Sequence, residues 1–574
     1  FDSRPDFPVT ANLYLPKGAN SPAPGVLVSS GHSRDGKAAD YNQYMAQILA
    51  HKGFVSLAYD PIGQGERMQY SDEGGQDLTG SGVPEHNFIG RQQLLVGEFF
   101  GSWRAWDGMM ALDYLATRPE VDIGHLGLTG VSGGGTMTSL ITANEPRLTM
   151  SAPGCYITTW RRETENELPA DAEQMPPRIL GMGLEMYDML VPHIPKSLIL
   201  LTQESDFFDQ RGALEAHERL AHLYRLLDAE DELGYYVGAG GHDCTKPMRE
   251  AMVAHFAAAC GMDIDPAEPE LVCETAETLQ CSETGQIYAD PGSLSASCFD
   301  FTAARSRELT TLRGEPTGHE LRRRVRELLA LPERDGPPEF RILRTWDARE
   351  YARPCASHFV LDTDVEFGAQ AVVTMLTDER LVARPLTAEM MGGDGASTLY
   401  LPERSSDAEL REDQRVRAIE EESGVFFACD YRGVGESLPN TCNPGSYEDG
   451  YGSDYFYAST ALMLGESYVA WRVHDVLSTL DWMGAFGYDR AHLVARGQGA
   501  IVGALAALLH ENVVRVTLIG APASFTEMAE TRYQQWPESA LLPGVLTHFD
   551  LPDLYRELAS KDLELIALRS AMMD

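Results

Sequence analysis

Over roughly the first 260 residues, short apolar runs alternate with longer stretches of helical periodicity. Ala23-Pro24 precedes the run Gly25-Val26-Leu27-Val28-Ser29, which predicts a buried strand leading into the loop Gly31-His32-Ser33-Arg34-Asp35-Gly36. A helix is predicted from about Tyr41 to Lys52, then a strand over Phe54 to Tyr59 that ends in Asp60-Pro61-Ile62-Gly63-Gln64-Gly65-Glu66-Arg67. A long helix follows over about Trp103 to Thr117, where Ala105, Met109, Leu112 and Leu115 trace one apolar stripe. The strand His125 to Thr129 then meets Gly130-Val131-Ser132-Gly133-Gly134 and a helix running past Ile141. Further strands are predicted at Thr149 to Ser151, Ser197 to Thr202 and Leu233 to Val237. Strands alternating with helices of this length predict an α/β domain, a mostly parallel sheet with helices on both faces.

The grammar stops and then restarts. Asp263 to Asp300 is rich in proline and acids, Arg305 to Leu331 is a charged helical stretch, and Pro332 to Pro338 breaks it. From about Phe340 strands are predicted at Ser397 to Leu401 and Val425 to Cys429. The second of these ends in Asp430-Tyr431-Arg432-Gly433-Val434-Gly435-Glu436-Ser437, which parallels Asp60 to Arg67. A helix over Ala470 to Met483 and a strand over His492 to Val494 lead to the turn Ala495-Arg496-Gly497-Gln498-Gly499. Laid on the first copy, Gly497 stands where Ser132 stands. The expectation is a tandem pair of α/β domains, 1–262 and 341–574, joined by a connecting segment 263–340, the second copy having glycine where the first has Ser132.

Composition adjusts this picture at a few points. With 574 residues the chain is too long for one core. A net charge of −40 repels phosphate backbones and anionic membrane surfaces, so nucleic-acid and membrane partners are not expected. No apolar run approaches the roughly 18–20 residues a membrane helix needs. The chain opens at Phe1, so a missing signal peptide decides nothing about compartment; a segment removed before Phe1 would favour a secreted or periplasmic protein. Among nine cysteines, Cys273 and Cys281 are close enough to bridge if the chain folds back between them. No Cys/His spacing resembles a zinc site.

The candidate chemistry centres on Gly130-Val131-Ser132-Gly133-Gly134. Gly-x-Ser-x-Gly between a strand and a helix is a nucleophile elbow when that context holds, because the tight turn tolerates only small flanking residues. The N–H of Gly133 is the first expected oxyanion donor, and the N–H of His32 or Ser33 the second. A serine hydroxyl needs a histidine to take its proton and an acid to orient that histidine, in the chain order Ser, Asp/Glu, His. Glycines before His242 let its loop reach back, and Asp206 is the expected acid, with Glu204 and Asp209 as rivals. Asp209 has a plainer reading as a helix cap or the partner of Arg211. His217, His222 and His255 lie in helical stretches and read as surface or packing residues. Asp60 to Arg67 reads as a structural turn, with Glu66 and Arg67 paired. Glu85, His86 and Trp160 are weak candidates for the pocket wall.

Together, Gly31-His32, Asp60-x-x-Gly63-x-Gly65-Glu66-Arg67, the string Ala111-Leu112-Asp113-Tyr114-Leu115-x-x-Arg118-Pro119-Glu120-Val121-Asp122, the elbow and Gly241-His242 resemble the acetylxylan-esterase-like branch of the dienelactone hydrolase group. The resemblance covers nearly all of the first 260 residues. It implies a pair of α/β-hydrolase-type domains, the first a Ser-His-Asp esterase acting on acylated carbohydrate, with no metal or organic cofactor. Dienelactone hydrolases carry cysteine at the elbow, so Ser132 favours the oxygen-ester branch. Rival expectations are an amide or peptide hydrolase using the same residues, or a binding scaffold with a vestigial site. The second copy carries no implied activity; substrate binding, pocket shaping and homo-oligomer formation are its candidate roles.

Overall fold

The computed structural model describes residues 1–18, 22–72, 76–343, 350–366, 368–378, 395–441 and 453–574. The chain forms two compact units. The first comprises Phe1–Arg91, Phe99–Phe301 and Met463–Gly465, and the second Gln92–Glu98, Thr302–Leu462 and Glu466–Asp574.

In the first unit, β1 (Asp2–Arg4) and β2 (Phe7–Pro8) form a small antiparallel pair. The main sheet contains β3 (Ala11–Tyr14), β4 (Ala23–Ser29), β5 (Val55–Tyr59), β6 (Val121–Val131), β7 (Met150–Gly154), β8 (Ser197–Gln203) and β9 (Leu233–Gly238). Its order is β3-β5-β4-β6-β7-β8-β9. Only the edge strand β3 is antiparallel; the pairings from β5 to β9 are all parallel. Helices α1 (Asp40–His51), α2 (Val83–Val96), α3 (Phe100–Ala116), α4 (Gly133–Asn144), α5 (Trp160–Glu165), α6 (Gln210–Leu226) and α7 (Lys246–Ala259) accompany it.

Two-residue alternation along β4 accounts for the two helical layers. Val26 and Val28 pack with Met45, Ile48 and Leu49 of α1 and with Val253 and Phe256 of α7. Leu27 points the other way, towards Leu112 and Leu115 of α3 and Met137 and Ile141 of α4. A strand buried on both faces must be apolar throughout, which is why this run carries no polar alternation.

The second unit contains β10 (Phe340–Ile342), β11 (Cys355–Asp364), β12 (Ala369–Thr377), β13 (Ala396–Leu401), β14 (Phe426–Asp430), β15 (Arg490–Arg496), β16 (Val513–Ile519) and β17 (Leu563–Ile566). Their order is β10-β11-β12-β14-β13-β15-β16-β17. The parallel block β14-β13-β15-β16-β17 repeats the order of β5-β4-β6-β7-β8. This is a tandem α/β arrangement, with the antiparallel strands β10 to β12 added at one edge of the second sheet.

One expectation needs correction, and one open question is answered. The charged stretch after Arg305 is two helices, Cys298–Arg313 and Gly318–Leu329, because Gly314 at φ +64° and Pro316 cannot continue the first. Cys273 and Cys281 are both free thiols. Different anchors separate them: the Cys281 N–H donates to Glu66 at 2.9 Å, whereas neighbouring Glu274 donates its N–H to Gln43 at 2.8 Å. Among the described residues, no helix is long and apolar enough to cross a membrane.

Candidate active site

Ser132 lies between β6 and α4 with φ +60° and ψ −124°. A non-glycine residue rarely adopts this conformation, and here the turn's packing leaves no alternative. A Cβ added to Gly130 would lie 2.4 Å from the Ser29 carbonyl oxygen, and one added to Gly134 only 2.2 Å from it. The Ser132 N–H donates to the Gly154 carbonyl at 2.9 Å, tying the elbow to β7. As the first residue of α4, Gly133 has no intrahelical acceptor for its N–H.

Asp206 follows β8, and His242 follows β9. Asp206 Oδ1 lies 2.8 Å from His242 Nδ1 and accepts the Phe208 N–H at 3.0 Å. The Asp206 carboxylate is 1% exposed and the His242 imidazole 22%, so the ring reaches solvent while its partner does not. Phe207 stacks on the imidazole with ring centroids 4.0 Å apart. Because β6, β8 and β9 run parallel, Ser132, Asp206 and His242 all emerge at the carboxyl edge of one sheet, where open α/β folds place their ligand sites. Of the rival acids, Glu204 is exposed. Asp209 caps α6 by accepting the Arg211 N–H at 2.8 Å and also binds the Arg211 guanidinium, which holds its carboxyl down at about 2.

Cys155 was missed from sequence. It follows β7 with φ +46°, and its Sγ lies within 4.8 Å of ligating atoms of Asp206 and His242. Burial, with Asp206 beside it, pushes this thiol far above its ordinary range, so it stays protonated and can donate towards the carboxylate.

The loop after β4 lies against the elbow: a Cβ on Gly31 would sit 3.5 Å from Ser132 Cβ. His32 Nε2 is 2.8 Å from Asp171 Oδ2 and 3.0 Å from Glu173 Oε1. His86, on α2, places Nδ1 3.0 Å from the same Asp171 oxygen and Nε2 2.9 Å from the Ile62 carbonyl. Arg104 contacts Glu173. Burial pushes His86 down to about 4 against the pull of Asp171. Burial also raises the Asp171 carboxyl, but His86 and His32 outweigh it and hold that group well below the carboxylate range. The ligating atoms of His32, His86, Asp171 and Glu173 all lie within 4.8 Å of one another, so this group could hold a metal ion. Asp171-Ala172-Glu173 gave no sequence signal, because it lies in an aperiodic stretch whose partners are about 70–140 residues away.

The remaining candidates have structural roles. Asp60 accepts from the Lys37 N–H at 2.8 Å, Thr10 Oγ1 at 2.7 Å and Lys37 Nζ at 2.6 Å. A Cβ on Gly65 would lie 2.0 Å from its carboxylate, which explains the glycine. Glu66 and Arg67 are not paired with each other. Lys37 binds Glu66, and Arg67 Nη1 lies 2.8 Å from Asp107, because the two side chains leave the turn in opposite directions. Glu85 accepts the Gln69 N–H at 2.6 Å, and Trp160 is buried at the start of α5.

In the second unit Gly497 adopts φ +53° and ψ −122°, nearly the backbone of Ser132. A Cβ there would lie 2.2 Å from Glu403 Oε1, and Glu403 Oε2 in turn accepts Arg569 Nη2 at 3.2 Å.

No family profile matches the chain. It is 25% identical over 267 residues to "Putative hydrolase YtaP" of Bacillus subtilis (strain 168), covering 43% of this chain and 77% of that protein. It is 27% identical over 148 residues to "Uncharacterized protein PA2218" of Pseudomonas aeruginosa, covering 26% and 33%. Similar solved structures include "Methylesterase BT1017", with TM-score 0.42 and 20% identity over 53% of this chain and 65% of that one. A glucuronoyl esterase from Solibacter usitatus follows at TM-score 0.34 and 18% identity, over 45% and 79%. The chain thus spans just under two thirds of the methylesterase and a third of PA2218.

Proposed function

We propose that the first unit is a serine carboxylesterase and that the second performs no hydrolysis. The observation that carries this reading is the Asp206–His242 pair, 2.8 Å apart, on the same sheet edge as a serine held at positive φ. In this reading Ser132 Oγ attacks the ester carbonyl carbon while His242 Nε2 takes its proton. The Nδ1–H of His242 faces Asp206, which fixes the tautomer and stabilises the imidazolium. Negative charge gathers on the carbonyl oxygen, beside the N–H of Gly133 and an N–H from residues 31–33. Such donors typically contribute ~3–4 kcal/mol each to lowering the barrier. Collapse breaks the ester C–O bond, and His242 returns its proton to the leaving alcohol. Water, deprotonated by His242, then cleaves the acyl-enzyme and releases the acid.

The substrate class proposed is acetylated carbohydrate such as acetylated xylan, supported by the motif resemblance across the first 260 residues. In the second unit glycine supplies no nucleophile, and Glu403 occupies the space a side chain would need. The test pairs fluorophosphonate labelling with a panel of aryl acetate, acetylated xylan, feruloyl ester, glucuronoyl ester and peptide amide. Expected are a single adduct at Ser132, loss of aryl-acetate turnover in Ser132→Ala, and a preference for acetylated glycans. Retained turnover in Ser132→Ala would overturn the mechanism, and faster amide cleavage would overturn the substrate class.

A further inference from the structure

The group formed by His32, His86, Asp171 and Glu173 is hard to account for as hydrogen bonding alone. The Ile62 carbonyl can only accept, so His86 Nε2 carries a hydrogen and donates it at 2.9 Å. In the neutral ring, Nδ1 then presents a lone pair to the Asp171 carboxylate, 3.0 Å away. On the other side, one nitrogen of His32 faces two carboxylates at 2.8 and 3.0 Å, although it can carry one proton only. Neither Glu173 oxygen nor His32 Nε2 makes a well-aligned hydrogen bond, and Glu173 and Asp171 are buried. Arg104 compensates one carboxylate and leaves the other. Two buried carboxylates, the Nδ1 lone pair of His86 and one nitrogen of His32 meet here with too few protons between them, which calls for a cation.

We infer that these four side chains form a binding site for one divalent transition-metal ion of the zinc class. Metal–N distances of about 2.0–2.1 Å and metal–O distances of about 2.0–2.2 Å give tetrahedral ligand–ligand edges of roughly 3.3–3.5 Å. The spacings of His32 Nε2 and His86 Nδ1 to Asp171 Oδ2, 2.8 and 3.0 Å, and of His32 Nε2 to Glu173 Oε1, 3.0 Å, lie a little inside that edge, and all four ligating atoms fall within 4.8 Å of one another. The supporting contacts fit as well. A ligating histidine usually donates its second N–H to a backbone carbonyl, as His86 does to Ile62. The other oxygen of Asp171 accepts the Glu173 N–H at 3.1 Å, and Arg104 supports Glu173. Mixed imidazole and carboxylate ligands favour zinc over magnesium or calcium. With four protein ligands, the site is structural.

Its placement gives it a consequence that rests on the esterase reading. A Cβ on Gly133 would lie 2.8 Å from both His32 Nε2 and Glu173 Oε1, so the site adjoins one oxyanion donor. Through His32 it also fixes the loop that supplies the other. The four residues are therefore positioning residues for the oxyanion hole.

The test uses the full chain purified without chelators. Elemental analysis should find about one equivalent of zinc per chain, in wild type and in Ser132→Ala alike. Dipicolinate should remove it and lower Tm, and zinc should restore both. Cobalt(II) loaded in its place should give the visible bands of a tetrahedral N/O site. Asp171→Asn and Glu173→Gln, checked for folding by circular dichroism, should lose those bands. Fluorophosphonate labelling of Ser132 should slow roughly 10–100-fold on metal removal. A metal-free wild type whose Tm does not respond to added zinc or cobalt would overturn the site and leave a proton-held ion pair. Retained cobalt bands in both variants would overturn the ligand assignment. Failure of the esterase reading would appear instead as absent labelling in metal-loaded protein.

Discussion

The two elbows have almost the same backbone and opposite surroundings. Ser132 and Gly497 each join a parallel strand to a buried helix at φ near +55° and ψ near −123°. Beneath each, an aspartate closes a glycine turn: Asp60 with Gly65 in the first unit, Asp430 with Gly435 in the second. The strand-turn-helix geometry is therefore a property of the fold and exists without a nucleophile. What differs is the space above the turn. In the first unit it holds a serine side chain beside Gly31; in the second, Glu403 stands in that space and Arg569 binds it. Arg569 follows β17, in the place where the first unit has Asp206 after β8. Glycine takes a positive φ without the strain that serine bears there.

The largest expected effect follows from the acid. Asp206→Asn should lower kcat/KM for aryl acetates by about 10⁴-fold with little loss of stability, because it disturbs the histidine tautomer and leaves packing intact. Asp209→Asn should keep most activity and reduce stability by no more than about 1 kcal/mol, since asparagine still caps a helix. Equal losses in the two variants would mean that the acid after β8 is not specialised, and the contrast with Arg569 would lose its meaning.

A second experiment adds the missing side chain. Gly497→Ser should destabilise the second unit by about 1–3 kcal/mol, because the new Cβ overlaps Glu403 and the backbone is strained. In a Ser132→Ala background, Gly497→Ser should give no aryl-acetate turnover and no fluorophosphonate adduct, even with Glu403→Ala to open space. Denaturant unfolding measures the first effect and active-site labelling the second. An adduct at position 497 would make the second unit a latent hydrolase.

Much of this was legible in the sequence for one reason: parallel strands buried on both faces must be apolar, and the turns between them need small residues at fixed offsets. That logic gave β4 to β9 of the first sheet but not the edge strand β3, and the elbow motif with its chain order pointed to Ser132, Asp206, His242 and the matching position Gly497. It failed where partners are distant. Cys155 carries no mark of standing beside Asp206, and nothing in Asp171-Ala172-Glu173 points to His32 or His86. Proximity in the chain also misled, because Glu66 and Arg67 are neighbours whose partners are Lys37 and Asp107. In the second unit the added strands β11 and β12 were missed, having no equivalent in the first copy, and so were β16 and β17, which do have one.

The smallest effect separates the units by their buried acids. On α5, Glu163 is buried; desolvation, with repulsion from Glu185, raises its carboxyl to about 8. In the second unit burial raises Asp430 to about 6. Each group keeps its proton in the folded chain over a range where the unfolded chain has lost it. Stability contributed this way is complete below the unfolded value and declines as pH rises towards the folded one. For Asp430 the decline spans about pH 4 to 6, and for Glu163 about 4.5 to 8. Between pH 6 and 8 Asp430 no longer adds to the decline, whereas in the first unit Glu163 and Glu85, also raised to about 8 by burial, still do. Glu163→Gln is neutral at every pH and should remove up to about one proton of linkage, or roughly 1.4 kcal/mol per pH unit. Denaturant titrations at pH 6 and 7.5 should accordingly show a smaller loss of stability in Glu163→Gln than in wild type. Parallel curves would place the pH sensitivity elsewhere and remove this distinction between the halves.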